Sequence, residues 1–229
     1  YAYDVLGVTK AAAIHDGDPY TEGLAKAFSD AFVVKGGEMV AFEAEAADAT
    51  NVEPLLTTVA ASGPEFLYYP VFIPLGSLIT NTAKNISGLE DVYLAAADGV
   101  QSPSFLENTV GTSEGMFVSG PDLAFANSFY QDEFLPAYQE AYGTAPTAPF
   151  HAHAYDATMM LLGAIESVAK QDADGNLMIG RQALRDALYA TSGFAGITGT
   201  LTCDEFGDCA DPKISVSEVQ DGAFVRVWP

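Results

Sequence analysis

The chain has 229 residues, 49% of them apolar and 17% charged, a composition typical of a globular protein with one large domain or two small ones. Its 31 acidic and 9 basic residues give a formal net charge of −22, which excludes nucleic acid as a partner because phosphate backbones are repelled. No apolar run reaches the ~18 residues of a membrane span, and residues 1–10 lack the features of a signal peptide. We therefore expect either a cytosolic chain or one whose export signal precedes this numbering.

Residues 8–120 alternate between short apolar runs, typical of buried strands, and segments with apolar residues at helical spacing. The predicted strands are VTKAAAI, EMVAFEA, EFLYYPVF, VYLAAA and GMFVSG. Helices are predicted between them at residues 21–35, 51–62, 75–85 and 102–109. This alternation predicts an α/β fold with a Rossmann-like parallel sheet flanked by helices.

After Pro121 the pattern changes to helices without strands. LAFANSFYQDEFLPAYQEAY, HAHAYDATMMLLGAIESVAK and GRQALRDALYAT each predict an amphipathic helix. The chain then closes with a β pair, KISVSEV and FVRVW, around the turn QDG. Three helices with apolar faces and no sheet of their own require a sheet from elsewhere.

The pair His15-Asp16 follows the first predicted strand, at the edge where parallel α/β sheets bind ligands. A metal-dependent hydrolase would need further histidines, and only His151 and His153 are available, at the start of a predicted helix. We interpret the pair as a loop or pocket wall and keep the hydrolase as the weakest alternative. Phosphate-binding glycine motifs and a Gly-x-Ser-x-Gly elbow are absent. We expect no catalytic residue, no metal and no cofactor.

Both cysteines lie in the stretch TCDEFGDCAD, where Cys203 and Cys209 bracket five residues rich in turn formers. Their side chains could meet across a tight loop, which favours a disulfide and an oxidising compartment. Two free thiols remain an alternative, and a metal site is disfavoured because no further soft ligand is adjacent.

Taken together, the segments resemble the branched-chain amino acid (Leu/Ile/Val) binding proteins, which are type I periplasmic solute-binding proteins of ABC transporters. The similarity runs in order along almost the whole chain, and each motif alone is weak. The segments that carry it are AAAIHDGDPYTEGLAKAF, EFLYYPVF, EGMFVSG, AYDATMMLLGAIE, GRQALRDAL, TGTLTCDEFGDC and VSEVQDGAFVRVW.

Members of that family have two Rossmann-like lobes, and the resemblance begins near the first crossover between them. It implies that residues 1–120 plus 212–229 form the second lobe and that residues 121–211 form the C-terminal part of the first. The opening ~120 residues, most of a first lobe by its usual size, have no counterpart. We therefore expect the chain to be a truncated form whose three late helices lack their sheet, and we expect this form to self-associate.

The resemblance also implies a ligand site. Tyr20 matches a tyrosine whose hydroxyl can donate to a ligand carboxylate, and Asp98 matches an acidic residue that pairs with the ligand ammonium. Phe72 stands where the family commonly has a tyrosine, so only an apolar or stacking surface remains. Phe150 matches an aromatic residue of the returning first-lobe segment. The hydroxyl and backbone cradle for the ligand carboxylate has no counterpart in this chain.

The function implied is binding without reaction. A branched-chain or related amino acid is held between two lobes and delivered to the ABC transporter permease. The implied location is periplasmic or extracellular, with or without a lipid anchor on the membrane surface. The alternative from a different class is the extracellular ligand-sensing domain of a receptor.

Overall fold

The computed structural model describes residues 1–125, 127–209 and 212–229. Its contacts divide the chain into two compact units. The first, which we call the sheet unit, comprises Tyr1–Pro121 and Ile214–Pro229. The second, the helical unit, comprises Asp122–Lys213. Whether these units are the two lobes named above stays a prediction.

The sheet unit begins with five strands that alternate with four helices. The strands are β1 (Lys10–His15), β2 (Glu38–Ala44), β3 (Phe66–Tyr68), β4 (Tyr93–Ala97) and β5 (Phe117–Pro121). The helices are α1 (Pro19–Val34), α2 (Glu53–Ala61), α3 (Ile73–Ala83) and α4 (Pro103–Asn108). One 3-10 turn, Asp98–Val100, follows β4 directly.

The described part of the helical unit contains three α-helices and four very short strands. The helices are α5 (Leu135–Tyr142), preceded by a π-helical turn at Tyr130–Phe134, α6 (His151–Val168) and α7 (Arg181–Tyr189). The strands form two small hairpins: β6 (Lys170–Gln171) with β7 (Leu177–Met178), and β8 (Phe194–Ala195) with β9 (Thr200–Leu201). The chain then returns to the sheet unit with β10 (Ile214–Gln220) and β11 (Ala223–Trp228).

Seven strands form one mostly parallel sheet in the order β11-β10-β5-β4-β3-β1-β2. The first five strands pair in parallel, whereas β10 runs antiparallel to β5 and β11 antiparallel to β10. The prediction of an α/β fold with a sheet flanked by helices is confirmed. The order reverses at β1, since β2 lies on one side of it and β3 on the other. Ligands of open α/β sheets bind at such a switch point, outside the carboxyl ends of the strands.

Side-chain alternation along the strands separates two apolar layers. Ile14 and Leu67 point into a layer completed by α2, α3 and α4, whereas Ala11 and Phe66 point into a layer completed by Phe32 of α1. Both faces of the central strands are therefore covered, which explains why these strands read as continuous apolar runs and not as alternating ones.

Two predicted elements differ from the structure. The predicted strand EFLYYPVF is only three residues long, because Pro70 has no N–H for a ladder and Phe72 already caps α3. The helix expected over residues 123–142 is not continuous, and Ala126 lies outside the described residues. Pro136 cannot donate to the carbonyl of Asp132, and the helix widens to a π turn immediately before α5.

Candidate functional site

The loop after β1 leads directly into α1, and Tyr20 lies in the first turn of that helix. Pro19 occupies the first turn of α1, and the side chain of Asp18 accepts a hydrogen bond from the Tyr20 N–H at 2.8 Å. One oxygen of Asp16 accepts from the Asp18 N–H at 3.0 Å and from the Thr21 hydroxyl. The loop carboxylates therefore hold the backbone, and Tyr20 stands at the carboxyl edge of the sheet.

His15 ends β1 and takes part in the same loop. Its Nδ1 accepts a hydrogen bond from the Gly17 N–H at 3.1 Å, and its ring lies 5.2 Å from that of Phe42, measured between centroids. Among the described residues, no group of three His, Cys, Asp or Glu side chains could hold a metal ion. The hydrogen bond from Gly17 shows that His15 supports the loop after β1.

Phe72 follows β3 and Asp98 follows β4, the two strands that come after β1 on one side of the sheet. Phe72 is the N-cap of α3, and its carbonyl accepts from the Gly76 N–H at 2.8 Å. Asp98 opens the 3-10 turn after β4. A Cβ on Gly99 would lie 3.2 Å from a ring carbon of Phe72 and 3.1 Å from the Val71 carbonyl oxygen. The glycine therefore allows the aromatic ring to lie close to the turn that carries Asp98.

Three predicted ligand residues come together here. The Tyr20 hydroxyl donates to Oδ1 of Asp98 at 2.6 Å, although 78 residues separate them in the chain. The rings of Tyr20 and Phe72 stack with centroids 6.1 Å apart and an interplanar angle of 27°. Tyr20 and Phe72 remain 44% and 47% exposed, so this edge is an open surface of two aromatic rings and one carboxylate. The resemblance implied that this hydroxyl can donate to a ligand carboxylate, which stays a prediction; within the chain, the hydroxyl donates to Asp98.

The ionisation of the tyrosines fits this arrangement. Partial burial, followed by the hydrogen bond to Asp98 and its charge, raises the pKa of Tyr20 far above its ordinary value. Burial also raises the pKa of Tyr68, with a further contribution from the charge of Asp98, while a hydrogen bond with Ser119 opposes the rise. Both hydroxyls are therefore neutral at physiological pH.

Sequence reasoning missed Tyr68, Gln101 and Gly120 beside the site. Gln101 Oε1 is buried with no hydrogen-bond partner among the described residues, and a Cβ on Gly120 would lie 2.5 Å from it and 3.5 Å from Cβ of Asp98. Gly120 thus leaves room for the Gln101 amide beside the carboxylate. The only sequence signal for these positions is that each lies at or just after the carboxyl end of a strand.

The remaining predicted residues lie in the helical unit. Phe150 is the N-cap of α6, 46% exposed, with its ring 5.5 Å from that of His153. His151 is engaged by its own unit: Nδ1 pairs with the Ala148 carbonyl at 2.7 Å and Nε2 with the Tyr130 hydroxyl at 2.8 Å. Burial lowers the pKa of His153. His151 therefore supports the start of α6.

Cys203 and Cys209 are joined by a disulfide, so that prediction is confirmed. Near it, the sequence analysis missed Asp156, a 1% exposed carboxylate in α6. Asp156 accepts hydrogen bonds from the N–H groups of Ile197 and Thr198, each at 2.8 Å, and from the Thr198 hydroxyl at 2.7 Å. A lone aspartate within the apolar segment AYDATMML is the signal that could have indicated this structural tie.

Residues 1–223 match a family model described as periplasmic binding protein. The chain belongs to the periplasmic binding protein family. It is similar to the leucine-, isoleucine-, valine-, threonine-, and alanine-binding protein of Pseudomonas aeruginosa, with 26% identity over 90% of this chain and 52% of the relative. It is also similar to Leu/Ile/Val-binding protein homolog 3 of Brucella melitensis, with 23% identity over 94% of this chain and 55% of the relative. The chain thus spans about half the length of these relatives.

Solved structures show the same fold. A leucine binding protein, LivK, from Thermotoga maritima matches with a TM-score of 0.83 and 26% identity, over 99% of this chain and 61% of that one. The isoleucine complex of LivJ from Streptococcus pneumoniae matches with a TM-score of 0.77 and 21% identity, over 100% of this chain and 63% of that one. The fold and the family are shown, and the relatives are binding proteins. Family membership supports the prediction of a solute-binding chain that is not an enzyme.

Proposed function

We propose that the sheet unit binds an amino acid through its ammonium group, as part of the solute-binding component of an ABC transporter. The observation that carries this proposal is the pair Tyr20–Asp98 beside Phe72 at the carboxyl edge of the sheet. Asp98 is partly exposed, and no described group donates to its second carboxylate oxygen. A ligand N–H can therefore form a charge-assisted hydrogen bond there.

The charges around the site support a cationic ligand group. The residues that build this edge lie in the segments HDGDPYT, YPVFI, DGVQ and SGP, which contain three aspartates and no lysine or arginine. The three aspartates would repel a ligand that carries only a carboxylate, because no lysine or arginine of these segments offsets its charge. The aromatic surfaces of Tyr20 and Phe72 suit an apolar side chain or the stem of the amino acid.

Delivery to a permease and a location outside the cytoplasm are part of the proposal. They are supported by family membership and by the names of the relatives as amino acid binding proteins. None of the described helices is long and apolar enough to cross a membrane. The disulfide is consistent with an oxidising compartment.

The test is a titration of the 229-residue protein with L-isoleucine, followed by NMR so that millimolar binding is detected. Asp98→Asn should weaken binding by ~1.5–3 kcal/mol, the range for a hydrogen bond to a charged group. Asp91→Asn is the matched control, since Asp91 is exposed in the turn before the same strand, at its opposite end. Equal affinities of the two variants would place the ammonium partner elsewhere.

The role of Phe150 rests on the resemblance alone and is tested separately. Phe150→Ala should weaken isoleucine binding by about 1 kcal/mol if its exposed ring contacts the ligand. Phe206→Ala removes another exposed phenylalanine of the same unit and should leave the affinity unchanged.

A further inference from the structure

We propose that Tyr20 determines specificity by restricting Asp98 to a primary ammonium and rejecting planar, forked cations such as a guanidinium. This inference rests on the proposed function, because it concerns which cationic group the same edge accepts. It explains discrimination between an ammonium and a guanidinium, which a carboxylate alone does not provide.

One of the two oxygens of Asp98 is already in use. The Tyr20 hydroxyl donates to Oδ1 at 2.6 Å, and no described group donates to Oδ2. An ammonium needs only one oxygen for a short charge-assisted bond. A guanidinium binds a carboxylate best through two parallel N–H bonds, one to each oxygen. The ammonium therefore makes its full interaction with Asp98 while Tyr20 stays in place, whereas the guanidinium loses one of its two hydrogen bonds.

Two contacts fix the position of Tyr20 and oppose the displacement of its hydroxyl from Asp98. Its backbone N–H is fixed by Asp18 at 2.8 Å, and its ring stacks on Phe72. Its raised pKa keeps the hydroxyl protonated and thus a donor at neutral pH. A forked cation would have to displace this donor from a carboxylate oxygen and leave a partly buried phenol without its partner, which costs affinity.

The experiment compares two ligands with the same skeleton, L-isoleucine and its N-amidino derivative, in which a guanidinium replaces the ammonium. Both are titrated into the 229-residue protein and into Tyr20→Phe. The wild type should prefer isoleucine about tenfold or more, the value of one hydrogen bond to a charged group. In Tyr20→Phe, Oδ1 of Asp98 becomes free to accept the second N–H of the guanidinium. The ratio of the affinities for isoleucine and its N-amidino derivative should then fall to near one or reverse.

Tyr93→Phe is the matched control, because Tyr93 begins β4 at the far end of the strand from Asp98 and is 43% exposed. It should leave both affinities unchanged. A wild-type protein that binds the two ligands equally, or an unchanged preference in Tyr20→Phe, would overturn the inference and leave the proposed function intact. Isoleucine binding that is absent, or insensitive to Asp98→Asn, would instead overturn the proposed function and with it this inference.

Discussion

The two units bury apolar side chains in different ways. In the sheet unit, helices cover both faces of the central strands, and large side chains such as Phe105, Leu67 and Tyr69 are fully buried. In the helical unit, the largest described apolar cluster is aromatic and small, centred on Tyr130 and Ile197. The middle of α6 carries several exposed large apolar residues: Met159, Leu161 and Leu162.

The difference shows what a sheet contributes. Helices α1 to α4 have strands of the same unit beneath them, and their apolar faces are covered. Among the described residues of the helical unit, the strands are only two residues long and cover little. In this unit the hydrogen bonds to Asp156 and the disulfide link segments that no sheet of the described residues holds together.

The largest expected effect is in the sheet-unit core. Phe105→Ala should lower the free energy of unfolding by ~3–5 kcal/mol, because a fully buried ring is removed and a cavity remains. Phe206→Ala should change it by less than about 0.5 kcal/mol, since Phe206 is 80% exposed. Urea unfolding followed by circular dichroism measures both. A loss below ~1 kcal/mol for Phe105→Ala would contradict the core as described.

The next largest effect concerns the buried carboxylate of Asp156 in the helical unit. Asp156→Asn should destabilise that unit by ~2–3 kcal/mol, because an amide cannot accept all three donors as the carboxylate does. Asp132→Asn, at an exposed aspartate of the same unit, is the control. Hydrogen exchange of the Ile197 and Thr198 amides reports the loss locally. Unchanged protection of these amides would show that the hydrogen bonds to Asp156 contribute little.

Reduction of the disulfide should have a slightly smaller effect. Cys203 and Cys209 are only six residues apart, and closing so short a loop contributes ~2 kcal/mol in the chain-entropy model. Cys203→Ala with Cys209→Ala should therefore shift the unfolding of the helical unit and leave the sheet unit unchanged. Two alkylatable thiols in unreduced protein would contradict the bond itself, and intact mass after alkylation detects them.

The smallest expected effect is on self-association, through a substitution on the surface of α6. We expect the 229-residue protein to form at least a dimer, with Leu162, 47% exposed, in the contact. Leu162→Glu should weaken the association about tenfold, the value of half-burying one leucine. Val110→Glu, at an exposed apolar residue of the sheet unit, should not. Light scattering over a dilution series that gives a monomer of 24.1 kDa at micromolar concentration would contradict the expectation.

Several features could be predicted from the sequence because they depend on local pattern. Apolar runs such as KAAAIH mark strands buried on both faces, and the turn CDEFGDC brings two cysteines together. The contact between Tyr20 and Asp98 could not be predicted, because it depends on the order of β1, β3 and β4 in the sheet. Hydrophobic periodicity reports which side chains are buried and says nothing of which polar pairs meet.

The resemblance supplied the positions of Tyr20, Phe72 and Asp98 but not their mutual contacts. In particular, the resemblance did not indicate the hydrogen bond from the Tyr20 hydroxyl to Asp98. Asp156 was missed because an aspartate within a helix is ordinarily solvated. Only the donors of residues 197 and 198, some forty positions later, make its burial favourable.

The most direct test of the central claim is a crystal structure of the protein with L-isoleucine. We expect the ligand nitrogen within hydrogen-bond distance of Oδ2 of Asp98, about 2.7–2.9 Å, with the Tyr20 hydroxyl still on Oδ1. Isoleucine bound away from the carboxyl edge of β1, β3 and β4, or bound there with its ammonium turned away from Asp98, would contradict the account.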